Sequence, residues 1–301
     1  FGVIRNQNFT WDVNVAFARN WSKIKELPSG DDVSNNWFIG ERLNVLRDYT
    51  YAGVITADGV TMHTINGDKH YTLQEVYDKY GPKSPNKLKW YEGQMAVNDW
   101  NDDGKINDED KQIYGCTDPK WTGSLSSTMT YKGFDFSFML YTKQGQWSRS
   151  YFHEQYMDIS DRGRQKMSFD YYIPAGTPVL DKATGDITYL ETPHMGAYPY
   201  PNNYEKTGGG YFSKSSSGVR YQKTSFVKVK NITLGYTFPK KWMSKIAVKH
   251  LRLYVNVLNP FCFTGYDGFD PEISSGGTSL GVDKGVYPQA KTFTVGANIT
   301  F

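Results

Sequence analysis

The sequence predicts an all-β chain that forms part of an antiparallel transmembrane β-barrel. Two observations predict this fold. Apolar and polar residues alternate in one segment after another, and short connections between these segments strictly alternate with long ones. Successive side chains of a strand point to opposite faces, so such a segment has one apolar and one polar face. Short turns at one end and long loops at the other are typical of outer-membrane barrels.

The composition of the 301 residues agrees with a protein rich in strands. Aromatic residues make up 16% and there are 29 glycines, which favours strands and turns over helices. The net charge of +3 gives no electrostatic reason to expect a nucleic-acid partner. No run of about 18 apolar residues occurs, so no transmembrane helix is expected. Cys116 and Cys262 lie far apart in sequence and are predicted to be free thiols.

Six segments have the alternating pattern of a strand: Phe9–Phe17, Gly123–Tyr131, Phe134–Leu140, Asn231–Phe238, Leu251–Val257 and Lys291–Phe301. Phe1–Arg5 is expected to be the end of a seventh strand. The last segment shows the pattern most clearly. Its apolar positions are Phe293, Val295, Ala297, Ile299 and Phe301, and the residues between them are small or polar. We expect the apolar positions to contact lipid.

The connections differ sharply in length. Tyr131–Phe134 and Asn6–Asn8 read as tight turns, and Pro239–His250 is a short basic link. The long connections are Ser22–Lys120, Lys143–Lys223 and Pro260–Ala290. Because short and long connections alternate, all the long ones leave the sheet at one end. Loops of this length argue against a compact soluble domain, and they are expected on the outer side of a membrane barrel.

The polar positions favour a crowded lumen over an open surface, because they are mostly Thr, Ser, Asn, Gly and Asp. Aromatic residues gather at the turn end and resemble an interfacial girdle: Tyr131, Phe134, Tyr236, Phe238, Trp242 and Phe301. The strands of a soluble β-sandwich also alternate apolar and polar residues.

The alternative is therefore a secreted calcium-binding glycan-binding or adhesion module built as a β-sandwich. Six or seven strands cannot close a transmembrane barrel, since about eight are needed, so further strands are expected.

One loop has the spacing of a calcium site, D-x-[DN]-x-[DN]-G. The expected ligands are Asp99, Asn101, Asp103, the Lys105 carbonyl and Asp110. Asp at the last position, where Glu is usual, resembles the dockerin variant. The alternative is an Asp/Asn/Gly turn without a metal ion.

Elsewhere in the sequence no Ser/His/Asp set or acidic pair stands out, so no enzyme is predicted.

Several stretches together resemble the SusC/RagA family of TonB-dependent outer-membrane transporters, known from Bacteroidetes-type bacteria. They occur in the family's order: Asn35–Glu41, Asp99–Gly115, Tyr131–Phe138, Val229–Trp242, Leu251–Phe261, Gly265–Glu272 and Gly285–Phe301. No single stretch is specific, whereas the ordered set spans nearly all of the chain.

The resemblance implies a barrel of about 22 strands with a plug domain inside it. Residues 1–301 would be its C-terminal six to seven strands, without the plug and the earlier strands. The family imports oligosaccharides, or alternatively oligopeptides, across the outer membrane of Gram-negative cells. The implied partners are a SusD-like surface lipoprotein, TonB through an N-terminal region, the remaining barrel and plug, and membrane lipid.

Overall fold

The computed structural model describes residues 1–80, 91–151, 153, 170–200, 220–243, 248–272, 281–285 and 287–301. The strands, in chain order, are β1 (Gly2–Arg5), β2 (Phe9–Ala18), β3 (Val45–Tyr49), β4 (Tyr51–Val54), β5 (Val60–Thr64), β6 (Gly67–Tyr71), β7 (Met95–Val97), β8 (Lys111–Cys116), β9 (Trp121–Tyr131), β10 (Phe134–Gln144), β11 (Trp147–Ser150), β12 (Pro178–Leu180), β13 (Ile187–Tyr189), β14 (Tyr221–Lys223), β15 (Phe226–Thr237), β16 (His250–Thr264), β17 (Val282–Asp283) and β18 (Thr292–Thr300). The helices are α1 (Leu73–Tyr80) and α2 (Lys240–Met243), with a 3₁₀ turn at Asp108–Asp110.

Seven strands form one antiparallel sheet, which we call the wall sheet. Their order is β1-β2-β9-β10-β15-β16-β18, so each wall strand pairs with the next wall strand along the chain. All six predicted strands and the predicted seventh at the N-terminus are confirmed. Within the described residues the sheet does not close on itself, because β1 and β18 lie at its two edges. The wall sheet therefore has the form of a segment cut from a larger up-and-down barrel.

The register of the wall sheet separates an apolar face from a polar one. One row across the six strands from β2 to β18 is entirely apolar: Trp11, Met129, Phe136, Leu234, Val255 and Val295. A neighbouring row on the opposite face is entirely polar: Asp12, Thr128, Ser137, Thr233, Asn256 and Thr294. We call the first the outward face and the second the inward face.

The outward face is not covered by any other element that the structure describes. Val295 is 81% exposed and Phe293 is 73% exposed, although both are large apolar residues. A β-sandwich would bury such a face against a second sheet. No second sheet packs there within the described ranges, so the sandwich alternative is wrong.

The inward face is held together by polar side chains of neighbouring strands. Thr10 and Thr130 share a hydrogen bond of 2.5 Å between their hydroxyls, and Thr233 donates to Asn256 Oδ1 at 2.8 Å. Arg252 donates to both carboxylate oxygens of Asp135, at 2.9 and 2.5 Å. Gly235 lies between these two side chains, and a Cβ there would come within 2.6 Å of both. Glycine at this position therefore makes the ion pair possible.

A β-bulge in β15 reverses which residues face outward. Met139 and Leu140 are consecutive in β10, yet they pair with Asn231 and Val229 in β15. Lys230 is thus an extra residue in β15. Before it the odd-numbered residues Val227 and Val229 face outward, and after it the even-numbered Ile232 and Leu234 do so. The bulge keeps both apolar runs on the outward face although the sequence alternation breaks between them.

The turns at the end of the wall sheet opposite the long connections follow from local sequence. Lys132 and Gly133 both have positive φ, 45° and 93°, as a two-residue hairpin turn between β9 and β10 requires. The Asn6 side chain accepts hydrogen bonds from the backbone amides of Asn8 and Phe9 in the turn before β2. Aromatic rings cluster at this end, with centroid distances of 4.5 Å for Phe134–Tyr236 and 5.0 Å for Tyr236–Phe238. This confirms the predicted grouping of aromatic residues.

The first long connection has a hydrophobic core of its own, which the sequence analysis did not anticipate. Three strand pairs, β3–β8, β4–β7 and β5–β6, fold together with α1. The core contains the fully buried side chains Ile55, Met62 and Val76. This connection is therefore a small folded unit and not an extended loop. Much of the second and third connections, by contrast, lies outside the described residues.

Candidate functional site

The predicted calcium loop adopts a tightly hydrogen-bonded turn around Asp99. The Asp99 carboxylate is fully buried and accepts from the backbone amides of Asp103, at 3.2 Å, and Gly104, at 2.8 Å. Asn101 Oδ1 accepts from Asp103 N at 3.2 Å, and Asp103 Oδ1 accepts from Lys105 N at 2.8 Å. Gly104 has φ of 83°, which explains the need for glycine there. The first half of the loop thus winds around the Asp99 side chain.

Asp110 closes the loop from its far end. It is fully buried and accepts from Asn107 N at 2.8 Å and from Asn101 N at 3.3 Å. Burial raises the pKa of Asp110, and the nearby Asp99 carboxylate raises it further, against the lowering effect of the backbone hydrogen bonds. The structure therefore brings the first and last predicted ligands close enough to repel each other. Ile106, between these two ligands, packs against the core of the first connection.

Helix α1 delivers two further groups to this loop. Thr72 and Glu75 form a capping box at its start, since the Thr72 amide donates to Glu75 Oε2 at 2.8 Å and Thr72 Oγ1 accepts from Glu75 N at 3.3 Å. At its end, Tyr80 donates its hydroxyl to Asp99 Oδ2 at 2.7 Å, and Lys79 Nζ lies 3.3 Å from the same oxygen. Burial opposes the charge on Lys79, but hydrogen bonds with Tyr71 and Asp99 outweigh it and raise its pKa.

The oxygen donors of the loop have the chemistry that a hard cation requires, although the surrounding charges are already partly balanced. Lys79 neutralises part of the charge on Asp99, and Lys69 forms an ion pair with Asp102. Lys105 and Asp103 are exposed, and the amide nitrogen of Asn101 donates to Glu109 Oε2 at 3.1 Å. In the described part of the chain, no group of three or more His, Cys, Asp or Glu side chains is arranged to hold a metal ion. The loop therefore offers Asp99 and Asp110 as preformed carboxylates, and calcium would need the others to join them.

A second charged cluster joins the third long connection to the inward face. Lys228 of β15 is buried and donates to both Asp270 oxygens, at 2.7 and 2.9 Å, and to Glu272 Oε2 at 3.0 Å. Lys230 donates to the same Glu272 oxygen at 2.6 Å. Opposing charges and hydrogen bonds overcome the effect of burial and lower the pKa values of Asp270 and Glu272. The segment around Asp270 is thereby fixed against the wall sheet.

The sequence analysis missed this cluster, although a signal was present. Lys228 and Lys230 are charged residues inside a strand whose other polar positions are small. Lysine seldom lies in a buried strand without an acidic partner. The segment Asp270–Glu272 supplies two acidic residues, and it lies in the long connection that starts at the end of the sheet where Lys228 lies.

A third cluster joins the second and third connections to each other. His153 is fully buried, with Nδ1 2.7 Å from Ser150 Oγ, and its ring stacks on Tyr198 at 6.0 Å. Tyr266 donates its hydroxyl to Asp283 Oδ2 at 2.5 Å, and Ser150 Oγ lies 3.1 Å from the Tyr266 hydroxyl oxygen. Burial lowers the pKa of His153 to about 4, against the opposing effect of Asp267 and Asp283.

The two cysteines are free thiols, as predicted. Cys116 is buried and Cys262 is exposed.

No described helix is both long and apolar enough to cross a membrane. The wall sheet, with its outward apolar face and its long connections at one end, has the architecture of part of a β-barrel wall. Comparison with solved structures agrees. The chain resembles the RagAB peptide transporter with a TM-score of 0.61 and 16% identity, over 100% of this chain and 28% of that one. The RagAB peptide importer in its closed-closed state gives a TM-score of 0.59 and 17% identity, again over 100% of this chain and 28% of that one.

Comparison of amino-acid sequences gives more specific similarities than comparison of folds. The chain is 28% identical to the TonB-dependent receptor SusC of Bacteroides thetaiotaomicron over 302 residues, 99% of this chain and 25% of that protein. It is 29% identical to a TonB-dependent receptor of Formosa agariphila over 324 residues, 99% of this chain and 29% of that protein. No family model matches the chain. These similarities confirm the predicted resemblance to TonB-dependent receptors of the SusC/RagA type. The chain spans about a quarter of the length of the relatives that it matches.

Proposed function

We propose that this chain is barrel wall and outer loops of an active importer in the outer membrane of a Gram-negative cell. The observation that carries the proposal is the wall sheet itself. Its outward face is apolar and is covered by none of the described elements, its inward face is polar, and its long connections all lie at one end. Similarity to SusC over nearly the whole chain supports the same conclusion. The relatives are receptors and transporters, which also argues against an enzyme.

The proposed import follows the family's arrangement. A SusD-like lipoprotein covers the outer end, where the long connections lie, and TonB acts on a plug held by the complete barrel. The outer edges of β1 and β18 pair with none of the described strands, and they pair with the remaining barrel strands, because lipid cannot satisfy free backbone groups. The proposed substrate is an oligosaccharide, with an oligopeptide as the alternative.

The test uses the full-length receptor in its own cells. We expect it in the outer-membrane fraction, together with a co-purifying surface lipoprotein. We expect growth on one class of oligomer, glycan or peptide, to require both the receptor and TonB. A receptor found outside the outer membrane, or growth on every oligomer unchanged by its deletion, would reject the proposal. Separate glycan and peptide media decide between the two substrate classes.

We propose further that Asp99, Asn101, Asp103, the Lys105 carbonyl and Asp110 bind one Ca²⁺ ion. The support is the loop's winding around Asp99 and the buried, mutually repelling pair of Asp99 and Asp110. The role of the ion would be structural: it would relieve that repulsion and fix the loop beside α1.

Limited proteolysis of the full receptor tests this site. We expect calcium to slow cleavage near Asn101 in the wild type, and a chelator to reverse the effect. Asp103→Ala should lose this protection, because alanine has no oxygen to offer the ion. Asp108→Ala is the matched control, because its side chain is 74% exposed and lies outside the proposed ligand set. Cleavage that is the same with and without chelator in the wild type would show that no calcium orders the loop.

A further inference from the structure

We propose that a hairpin in the second connection docks on the surface lipoprotein, at an apolar patch bordered by Lys or Arg. Residues 170–200 form this hairpin, which we call the arm, and the pair β12–β13 is its outer part. The proposal rests on the proposed function above, because the lipoprotein covers the end of the wall sheet where the second connection lies.

The base of the arm is fixed to the folded unit of the first connection. Tyr171 and Tyr172 at the base are buried, with 2% and 0% exposure. The Tyr172 hydroxyl donates to Glu92 Oε1 at 2.7 Å, and the Tyr200 amide donates to the Gly93 carbonyl, also at 2.7 Å. Both chain segments of the arm are therefore held at their base. A fixed base leaves less to be ordered when the outer part binds a partner, which favours binding.

The outer part of the arm is bare by contrast, since every residue from 178 to 189 is exposed. The register pairs Pro178 with Tyr189 and Leu180 with Ile187, so these four side chains share one apolar face. Leu180 is 60% exposed, Ile187 64% and Tyr189 67%. A hairpin of two strands is only marginally stable in water by itself. A partner that covers the apolar face therefore stabilises the hairpin as it binds.

The charged residues of the outer arm define the chemistry of that partner. Between residues 178 and 191 there are three acidic residues and one lysine, a net charge of 1 − 3 = −2. They are Asp181, Asp186, Glu191 and Lys182, and all four are exposed. The face is thus apolar with an acidic border. Its complement is an apolar patch with Lys or Arg around it.

Charge and area favour the lipoprotein over a membrane surface and over a second copy of the receptor. Segments that lie in a membrane surface are rich in Lys and Arg, whereas this arm is acidic. A second copy would bring two acidic arms together, which like-charge repulsion opposes. The apolar face offers only a few hundred Å², below the roughly 800 Å² per partner of a standard interface, so the partner needs further contacts. A lipoprotein that covers the whole outer end has such contacts with the other long connections.

Photo-cross-linking in the purified complex of full-length receptor and lipoprotein identifies the occupant. Benzoylphenylalanine in place of Ile187 should cross-link to the lipoprotein, and mass spectrometry should place the captured peptide in a patch with Lys or Arg. The same group in place of Val179 is the matched control, because Val179 lies on the opposite face of the hairpin, and it should capture little. A receptor dimer or a lipid adduct at position 187, in place of the lipoprotein, would overturn the proposal.

Binding of the lipoprotein, purified without its lipid anchor, to the receptor in detergent measures the contribution of each feature. Ile187→Ser should weaken binding about tenfold, whereas Val179→Ser should bind as the wild type does. Asp186→Lys combined with Glu191→Lys should also weaken binding about tenfold, and it leaves the apolar face intact. Binding of the wild type should weaken as the salt concentration rises.

Each remaining outcome has a separate meaning. Equal affinity of all the variants would reject the arm as a docking element and leave the proposed importer standing. Equal loss of affinity in Val179→Ser and Ile187→Ser would overturn the assignment of the contact to the apolar face. A wild-type receptor without any lipoprotein partner would reject the lid in the proposed function, and the docking with it.

Discussion

His153 shows how packing sets the charge of one side chain. Its ring lies between Tyr198 and Tyr266, and Ser150 is its hydrogen-bond partner at Nδ1. Asp267 and Asp283 favour the protonated ring, but burial outweighs them and the pKa falls from 6.5 to about 4. A histidine in a loop gives no sign of this in the sequence, because the rings around it come from distant segments.

Acidification should therefore loosen the junction between the second and third connections. The folded-state pKa of His153 lies below its unfolded value, so the neutral ring contributes stability above about pH 6.5. That contribution is lost as the pH falls toward 4, by up to about 3 kcal/mol. Hydrogen exchange in peptides covering residues 147–151 and 264–268, corrected for intrinsic rates, should rise between pH 7.5 and pH 4.5. His153→Phe should abolish most of the rise and His194→Asn should not. An equal rise in His153→Phe would contradict the assignment.

The sequence predicts more of the proposed calcium loop than of the Lys228 cluster. Spacing alone places Asp99, Asn101 and Asp103 around one turn, because a short loop fixes its own geometry. It does not reveal Lys79 or Tyr80, which reach Asp99 only because α1 packs beside the loop. It likewise does not pair Lys228 with Asp270, which lies 42 residues further along the chain.

Among the elements, β15 is the one in which simple alternation fails. A period of two predicts that Val227, Val229, Asn231 and Thr233 share a face, yet the structure separates the first two from the last two. The extra residue Lys230 accounts for the change of face. The bulge also lets Lys228 and Lys230 both reach Glu272 on the inward side.

Deletion of Lys230 should therefore destabilise the wall sheet far more than shortening its side chain to alanine. Without the extra residue, Lys228 turns outward and leaves the buried Asp270 and the half-buried Glu272 without its charge, at a cost of about 3–5 kcal/mol. Lys230→Ala keeps the bulge and removes the ion pair with Glu272 and a long hydrogen bond of 3.4 Å to Gln289. We expect the deletion to abolish heat-modifiable folding in outer-membrane fractions and Lys230→Ala to retain it. Normal folding of the deletion would show that the bulge does not set the register.

At the scale of the molecule, the two faces of the wall sheet define inside and outside. On the six strands from β2 to β18, the row from Trp11 to Val295 is apolar throughout and the row from Asp12 to Thr294 is polar throughout. Agreement among six strands is stronger evidence than any one of them, because each strand alone also fits a soluble protein.

Neighbouring positions of β18 give a matched test of this division. Val295→Arg should cost about 2–4 kcal/mol near the middle of the bilayer. Thr294→Arg should have little effect, because it points into a polar lumen. The measurement is the temperature at which the receptor unfolds on semi-native gels. If both variants unfold at the same temperature, the outward face does not contact lipid.

The sequence by itself determined the wall strands, the tight turns, the aromatic cluster at the turn end and the side on which the long connections lie. These features follow from local rules, since alternation, turn residues and connection length act over a few residues. The tertiary structure decided the folded unit in the first connection, the bulge at Lys230, and the ion pairs and buried histidine that join loops to wall. Such contacts unite residues tens of positions apart, and their energies depend on burial that no single segment possesses.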